Sequence, residues 1–96
     1  MTELEKALEQ RCVERIEALG GLALKLVLLG LMGWPDRTIL LPRRVIFFCE
    51  MKRQRVGKVS AQQGKWRRII TLLGFGYYTI DDDEQFDEAL KREMGL

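Results

Sequence analysis

The stretch FFCEMK, residues 47–52, ends an apolar run with an acid and a base. Successive side chains of a β-strand point to opposite faces, so Phe48, Glu50 and Lys52 share one face of the predicted strand. Charged groups are almost never buried unless they are paired, yet these two continue a row of core side chains. We therefore expect partners for Glu50 and Lys52 at this end of the strand.

Length and composition predict one domain that spans residues 1–96 and builds a single small core. Hydrophobic residues make up 47% of the chain and charged residues 31%, which is ordinary for a soluble globular protein. Two cysteines far apart in sequence and the lack of histidine argue against a disulfide framework and a zinc site. The acidic N-terminus is not typical of a signal peptide, and the apolar run 22–34 is too short for a membrane span. We therefore expect a cytoplasmic protein without membrane contact.

The net charge of +2 conceals a strong asymmetry along the chain. Residues 37–68 hold ten bases and one acid, whereas residues 69–96 hold two bases and seven acids. Such an excess of positive charge is typical of proteins that bind a phosphate backbone, although a solvated basic face explains the charge alone equally well. The single acid of the basic stretch is Glu50. The bases that follow it are candidates for nucleic-acid contacts: Arg53, Arg55, Lys58, Lys65, Arg67 and Arg68.

Apolar periodicity, glycines and prolines predict the element order α-β-β-β-α-β-α, which is that of an α/β (α+β) protein. The predicted elements are a helix over 3–19, strands over 22–26, 37–41 and 45–52, a helix over 60–73, a strand over 75–80 and a helix over 81–94. Helical spacing predicts that the last two helices bury Trp66, Ile69, Ile70, Leu73, Phe86, Leu90 and Met94. The acids 81–84 fit a helix cap, and Tyr77 and Tyr78 fit ordinary strand positions.

The predicted hairpin brings a second carboxylate to the end of the FFCEMK strand. Asp36 begins one strand, and the antiparallel partner ends in Glu50 and Lys52, so the three residues meet at one end of the sheet. Two carboxylates repel each other, and a divalent cation such as Mg²⁺ or Mn²⁺ between them makes the arrangement favourable. The ammonium group of Lys52 is suited to orienting a water molecule or neutralising charge on a phosphate. The sequence therefore predicts phosphodiester hydrolysis.

Several stretches of the chain resemble a known nuclease family. The residues PD at 35–36 and EMK at 50–52 resemble the PD-(D/E)xK nuclease signature. Longer stretches follow one another in the order and spacing of VRR-NUC (virus-type replication-repair nuclease) domains: ALGGLALKL, GWPDRTILLP, FFCEMK and SAQQGKWRRIITLLGFGYYTID. The resemblance covers nearly the whole chain. It implies a restriction-endonuclease-like core, with a central mixed sheet flanked by helices, in the compact stand-alone form found in phages and bacteria.

The resemblance implies roles for the residues at the sheet end. Asp36 and Glu50 match the metal-binding acids of the family, the backbone carbonyl of Met51 matches a further ligand, and Lys52 matches the catalytic lysine. The implied cofactor is Mg²⁺ or Mn²⁺.

The resemblance also implies site residues on the two helices nearest the strands. An acid of the first helix is expected to face the metals, and its distance from the Gly-Gly pair places it at Glu9, with Glu5 and Glu14 as substitutes. Gln63 matches the glutamine that opens the second helix near the site, although a capping box with Ser60 explains the same residue.

Two bases near the predicted site also match family positions. Lys25 and Arg37 are expected either to hold the phosphate backbone of DNA or to pair with a carboxylate.

The loop VLLGLMGW, residues 27–34, differs from the polar, glycine-rich loop of similar domains. Contiguous exposed apolar side chains generally mark an interaction surface. Cleavage of a two-fold symmetric four-way junction needs two metal centres, which a C2 homodimer supplies, and stand-alone family members are understood to be dimeric junction-cleaving enzymes. The expected function is therefore a metal-dependent endonuclease for branched DNA, most of all four-way (Holliday) junctions. The alternatives are a flap or duplex-end nuclease and a catalytically silent nucleic-acid-binding module.

Overall fold

Three helices and four strands follow one another in the predicted order α-β-β-β-α-β-α. A computed structural model of the protein describes residues 2–52 and 61–96. The elements are α1 (Glu3–Ala18), β1 (Leu22–Leu24), β2 (Arg37–Leu41), β3 (Val45–Met51), α2 (Ala61–Leu72), β4 (Gly76–Ile80) and α3 (Asp83–Met94). None of the helices in these ranges is long and apolar enough to cross a membrane.

The four strands form one mixed sheet in the order β1-β2-β3-β4. The β1–β2 and β2–β3 pairs are antiparallel, whereas β4 lies parallel to β3. A parallel pair needs a crossover connection, and α2 lies in that crossover. The mixed sheet and its flanking helices confirm the predicted fold class.

The strand β1 ends at Leu24, two residues before the end of the predicted strand 22–26, because β2 has few residues left to pair with it beyond Thr38. Leu24 pairs with Thr38 at the end of the β1–β2 register, and β2 begins one residue earlier, at Arg37. Pro35 lies just before that start and cannot donate a hydrogen bond to a strand. The residues after Leu24 therefore leave the sheet.

The main core lies between one face of the sheet and the helices α1 and α3. Phe47, Cys49 and Met51 of β3 point to this face and are buried. They pack with apolar side chains from both helices and from the neighbouring strands: Leu8, Cys12, Ile16, Ile39, Leu41, Ile80, Phe86, Ala89 and Leu90. The alternation of β3 thereby places Phe48 and Glu50 on the opposite face.

The opposite face of the sheet is only partly covered, because α2 packs on β4 at one side of it. Ile70 of α2 is buried and Trp66 and Ile69 are half-buried. The predicted burial of Leu73 is wrong: α2 ends one residue earlier, and the Leu73 side chain is 70% exposed. Met94, the last residue of α3, is 37% exposed rather than buried.

Caps and turns fix the ends of the elements. Thr2 accepts a hydrogen bond from the Glu5 N–H at the start of α1, and Asp82 accepts one from the Gln85 N–H at the start of α3. The cap at Asp82 confirms that the acids 81–84 include a helix cap. In the β2–β3 turn, Arg43 and Arg44 both adopt left-handed backbone conformations, with φ angles of 66° and 65°.

Candidate active site

The hairpin β2–β3 brings Asp36 and Glu50 together at one end of the sheet. Arg37 pairs with Cys49 in the register, so Asp36 lies beside the end of β3. The Oδ2 atom of Asp36 accepts a hydrogen bond of 2.7 Å from the backbone N–H of Met51. This bond fixes the carboxylate of Asp36 next to the residue that follows Glu50.

Glu50 is buried, with 3% of its surface exposed, and its two carboxylate oxygens have different surroundings. The Oε2 atom accepts a hydrogen bond of 2.7 Å from Nε2 of Gln63, on the first turn of α2. The Oε1 atom is buried and has no hydrogen-bond partner among residues 2–52 and 61–96. A buried carboxylate oxygen without a donor is costly, so this atom is suited to a ligand that the chain itself does not supply.

Burial, followed by the negative charge of Asp36, raises the pKa of Glu50 to about 7. The positive charge of Lys52 and the neighbouring hydroxyl of Tyr77 lower the pKa of Glu50 and partly offset this rise. The Tyr77 hydroxyl keeps its proton, because burial raises its pKa well above the usual value. Two neighbouring carboxylates, one of them buried and incompletely hydrogen-bonded, therefore form a site that favours a cation.

The donor set fits a hard divalent cation that keeps other oxygen ligands. In the part of the chain that the structure describes, no group of three or more Asp, Glu, Cys or His side chains is arranged to hold a metal ion. Mg²⁺ is commonly bound by one or two carboxylates together with water and substrate phosphate oxygens. The pair of Asp36 and Glu50 would therefore fit such a cation, with backbone or solvent oxygens as its further ligands.

Lys52 lies at the open end of the same strand. Its backbone N–H donates a 2.9 Å hydrogen bond to the carbonyl of Ile80, which extends the β3–β4 pairing by one residue. Its side chain is half-buried and its charge acts on Glu50, although no ion pair to Lys52 forms within the described ranges. The lysine is thus placed beside the carboxylate pair without being neutralised by it.

Comparison with known proteins identifies the family. No family model and no curated protein matches the sequence. A solved structure described as "VRR_NUC domain" is 31% identical, with a TM-score of 0.83, and the match covers 94% of this chain and 97% of that one. The chain belongs to the VRR-NUC family. The VRR-NUC domain has a nuclease-type fold, and the four-stranded mixed sheet with three helices fits its PD-(D/E)xK-like core.

Glu9, the predicted metal-facing acid of the first helix of this VRR-NUC domain, lies in a buried ion pair. Its Oε2 atom accepts a 2.6 Å hydrogen bond from Nε of Arg37, and Nζ of Lys25 lies 4.0 Å away. A second guanidinium nitrogen of Arg37 donates to the carbonyl of Ala23 at 2.9 Å. Arg37 and Lys25 thus pair with a carboxylate in the DNA-free protein, and their contacts with a phosphate backbone and the ligand role of Glu9 stay predictions.

The possible substitutes for Glu9 lie elsewhere on α1. The carboxylate of Glu5 accepts a hydrogen bond from the Thr2 hydroxyl at 3.1 Å, and Glu14 is exposed. Neither residue makes a described contact with Asp36 or Glu50.

The predicted nucleic-acid contacts fall into two groups. Arg53, Arg55 and Lys58 lie outside the described residues, as does the capping partner Ser60. Lys65, Arg67 and Arg68 are exposed on α2, the helix that also carries Gln63. Their exposure is compatible with contact to a phosphate backbone and with the solvated-face alternative.

The sequence interpretation missed Tyr77, which we had assigned to an ordinary strand position. Tyr77 pairs with Phe48 in the parallel register, which places its side chain on the same sheet face as Glu50. The guanidinium of Arg67 lies 5.7 Å from the centre of its ring. The alternation of GYYTI shows that one of the two tyrosines faces α2, but only the register with β3 identifies which one.

Proposed function

We propose that this VRR-NUC domain is a Mg²⁺- or Mn²⁺-dependent endonuclease that hydrolyses phosphodiester bonds in branched DNA. The observation that carries the proposal is the buried Oε1 atom of Glu50, which has no hydrogen-bond partner in the described chain and belongs to a carboxylate next to Asp36. A cation there relieves both the repulsion of the two acids and the missing hydrogen bond.

Asp36 and Glu50 would hold the cation, together with the backbone carbonyl of Met51. When bound, such an ion stabilises charge on a phosphoryl oxygen and lowers the pKa of a water molecule. We assign Glu9 to its ion pair with Arg37 rather than to the cation, because Arg37 already compensates its charge, whereas no salt bridge of the described residues includes Glu50.

The protein groups around the carboxylates have distinct tasks. The Met51 N–H holds Asp36, and Gln63 holds one oxygen of Glu50 so that the other stays available. Lys52 places a positive charge beside the carboxylates, where it stabilises the charge that develops on the phosphate during hydrolysis.

A nuclease domain implies a DNA substrate, and the exposed bases of α2 support the same conclusion. Lys65, Arg67 and Arg68 lie on the helix whose first turn contacts Glu50, so DNA held by them passes close to the carboxylates. The basic stretch that includes Arg53, Arg55 and Lys58 precedes this helix in sequence.

We further propose that two copies form a C2 dimer through the apolar loop 27–34. The side chains of Val27, Leu29 and Met32 are 89%, 98% and 73% exposed, and Leu31 is also exposed. Contiguous apolar side chains of this kind are typical of an interface, and two-fold symmetry supplies the second metal centre that paired incision of a junction requires.

Cleavage assays on labelled four-way junctions, flaps, duplexes and single strands, with Mg²⁺, Mn²⁺ or EDTA, test the proposal. We expect metal-dependent, symmetric paired cuts in the junction and none with EDTA, and Asp36→Asn serves as the inactive control. Preferential cleavage of flaps or duplex ends by a monomer would favour the nuclease alternative without a dimer. Binding of DNA without cleavage under any metal condition would favour the silent module.

A further inference from the structure

We infer that the beginning of α2 positions both carboxylates of the site through two contacts with the loop before β2: the hydrogen bond from Trp66 to Met32 and the packing of Gly33 against Gln62. We call this pair of contacts the loop–helix clamp. The inference rests on the proposed function, because the carboxylates concerned are the proposed cation ligands. It assigns a positioning role to two residues outside the predicted site: Trp66 had been interpreted as a core side chain and Gly33 as a loop residue.

The clamp joins the loop before β2 directly to the helix. The indole N–H of Trp66 donates a 2.7 Å hydrogen bond to the carbonyl of Met32. The next residue, Gly33, has a φ angle of +83°, and a Cβ atom there would lie 2.5 Å from the backbone carbon of Gln62 and 2.7 Å from the nitrogen of Gln63. Only glycine permits this approach of the two backbones without strain.

From the clamp, the chain reaches the first carboxylate through residues that are themselves fixed. The Trp34 ring packs edge-on against Trp66 and Phe48, with ring centres 5.2 Å and 5.7 Å apart, and its indole N–H donates to Oγ1 of Thr38 at 3.0 Å. Pro35 is buried and Asp36 follows it. The position of Asp36 is therefore set by the clamp on one side and by β2 on the other.

The same segment of α2 holds the second carboxylate. Gln63 is next to Gln62, against which Gly33 packs, and donates its 2.7 Å hydrogen bond to Glu50. Residues 62–66 therefore contact both the loop that leads to Asp36 and the side chain of Glu50. A shift of this segment moves both carboxylates, so the clamp should determine how well the pair is arranged for a cation.

Mn²⁺ titration of the DNA-free protein tests the clamp without any measurement of activity. Calorimetry gives the dissociation constant, and tryptophan fluorescence provides a second signal because the protein has only two tryptophans, Trp34 and Trp66. Trp66→Phe keeps an aromatic ring but removes the hydrogen bond to Met32. We expect the Mn²⁺ dissociation constant to rise about threefold to tenfold, which corresponds to the loss of one ordinary hydrogen bond.

Tyr78→Phe is the matched control, because it also removes one hydrogen bond of an aromatic side chain and keeps the ring, but its bond to Glu93 lies on the sheet face opposite to Glu50. Its Mn²⁺ affinity should change less than about twofold, because substitutions that share no partner with the cation ligands have little effect on cation binding. An unchanged affinity in Trp66→Phe, or equal losses in both variants, overturns the inference. Failure of the wild type to bind Mn²⁺ overturns the proposed function instead.

A double-mutant cycle separates positioning from general stability. Gln63→Ala and Trp66→Phe act through the same helix segment, so their effects on Mn²⁺ affinity should be non-additive. If Trp66 had only a structural role, Trp66→Phe would lower the melting temperature but leave the Mn²⁺ affinity of the folded protein unchanged. Fully additive effects of the two substitutions would show that Gln63 and Trp66 do not act through the same helix segment. Gly33→Ala should weaken Mn²⁺ binding more than Trp66→Phe. If Gly33→Ala does not fold, the double-mutant cycle of Gln63→Ala and Trp66→Phe still tests the inference.

Discussion

Glu9 and Glu50 are both almost fully buried, with 4% and 3% of their surfaces exposed, yet their surroundings are opposite. Glu9 accepts a short hydrogen bond from Arg37, so its charge is compensated inside the protein. Glu50 lies beside another carboxylate, and one of its oxygens has no hydrogen-bond partner in the described chain. Burial alone therefore does not identify a functional acid: a buried acid paired with a cation of the protein stabilises the fold, whereas a buried acid without such a partner is a candidate ligand.

The largest expected effect is the loss of cleavage on removal of the Glu50 charge. Glu50→Gln keeps the shape of the side chain but not the charge that attracts a cation, so junction cleavage should fall by at least about a thousandfold while DNA binding persists. Asp36→Asn should behave in the same way. Gel-based cleavage and electrophoretic mobility shift measure the two properties, and Glu9→Gln, which should retain cleavage, is the control. Loss of cleavage in Glu9→Gln at a temperature where it stays folded would instead place Glu9 among the ligands.

The two bases near these glutamates, Lys52 and Arg37, should also differ in function: loss of the first should mainly affect cleavage, and loss of the second should mainly affect stability. In the proposed mechanism the charge of Lys52 acts on the reacting phosphate, so Lys52→Ala should reduce the cleavage rate by about a hundredfold or more with little change in DNA affinity or melting temperature. Arg37→Ala should instead lower the melting temperature, because it leaves the buried Glu9 with only Lys25, 4.0 Å away, as a cationic partner. Single-turnover kinetics and thermal melts give both quantities. A comparable loss of DNA affinity in Lys52→Ala would assign the lysine to the binding surface.

Removal of the Glu9 charge should mainly cost stability. Glu9→Gln leaves the guanidinium of Arg37 without its buried counter-charge, so the free energy of unfolding should fall by about 2–3 kcal/mol. Urea denaturation followed by circular dichroism measures this change. An unfolding free energy equal to that of the wild type would mean that the ion pair contributes little to stability. Glu9 would then not be a structural acid, and the contrast with Glu50 would be wrong.

Removal of the Glu50 charge should raise the free energy of unfolding of the metal-free protein, by less than the loss of the Glu9 charge lowers it. At pH 8 in EDTA, Glu50→Gln should be more stable than the wild type by about 1–2 kcal/mol, because it removes a buried charge next to Asp36. Mn²⁺ should raise the melting temperature of the wild type and of Glu9→Gln but not that of Glu50→Gln. A destabilised Glu50→Gln variant in EDTA would show that the buried carboxylate is already compensated without a cation.

The sequence was sufficient for most of the fold and for the meeting of Asp36 with Glu50, because both follow from local patterns. Strand alternation and antiparallel pairing place these acids at one end of the hairpin before any tertiary contact is known. The errors at Leu73 and Met94 concern the last turns of helices, where spacing alone does not reveal how far the partner surface extends.

The missed contacts all depend on elements that are distant in sequence. Tyr77 reaches Glu50 only through the parallel register of β4, and Trp66 reaches Met32 only through the rotation of α2 on the sheet. The sequence leaves the role of Arg37 open between contact with phosphate and pairing with a carboxylate, and it does not show which carboxylate lies near. The docking of α1 places Glu9 at this arginine. Periodicity does not determine these placements.

The parallel pairing of β3 with β4 has a consequence for the order in which the molecule folds. The β2–β3 hairpin closes through a short turn, whereas β4 pairs with β3 across the longer stretch of chain that contains α2. Pairing across a longer connection carries a larger loop-closure entropy and is expected later in folding. We therefore expect Asp36 and Glu50 to meet early in folding and Gln63 and Tyr77 to join them later. During refolding, we expect the carboxylate pair to exist before its support, so that high-affinity cation binding returns only in the last kinetic phase.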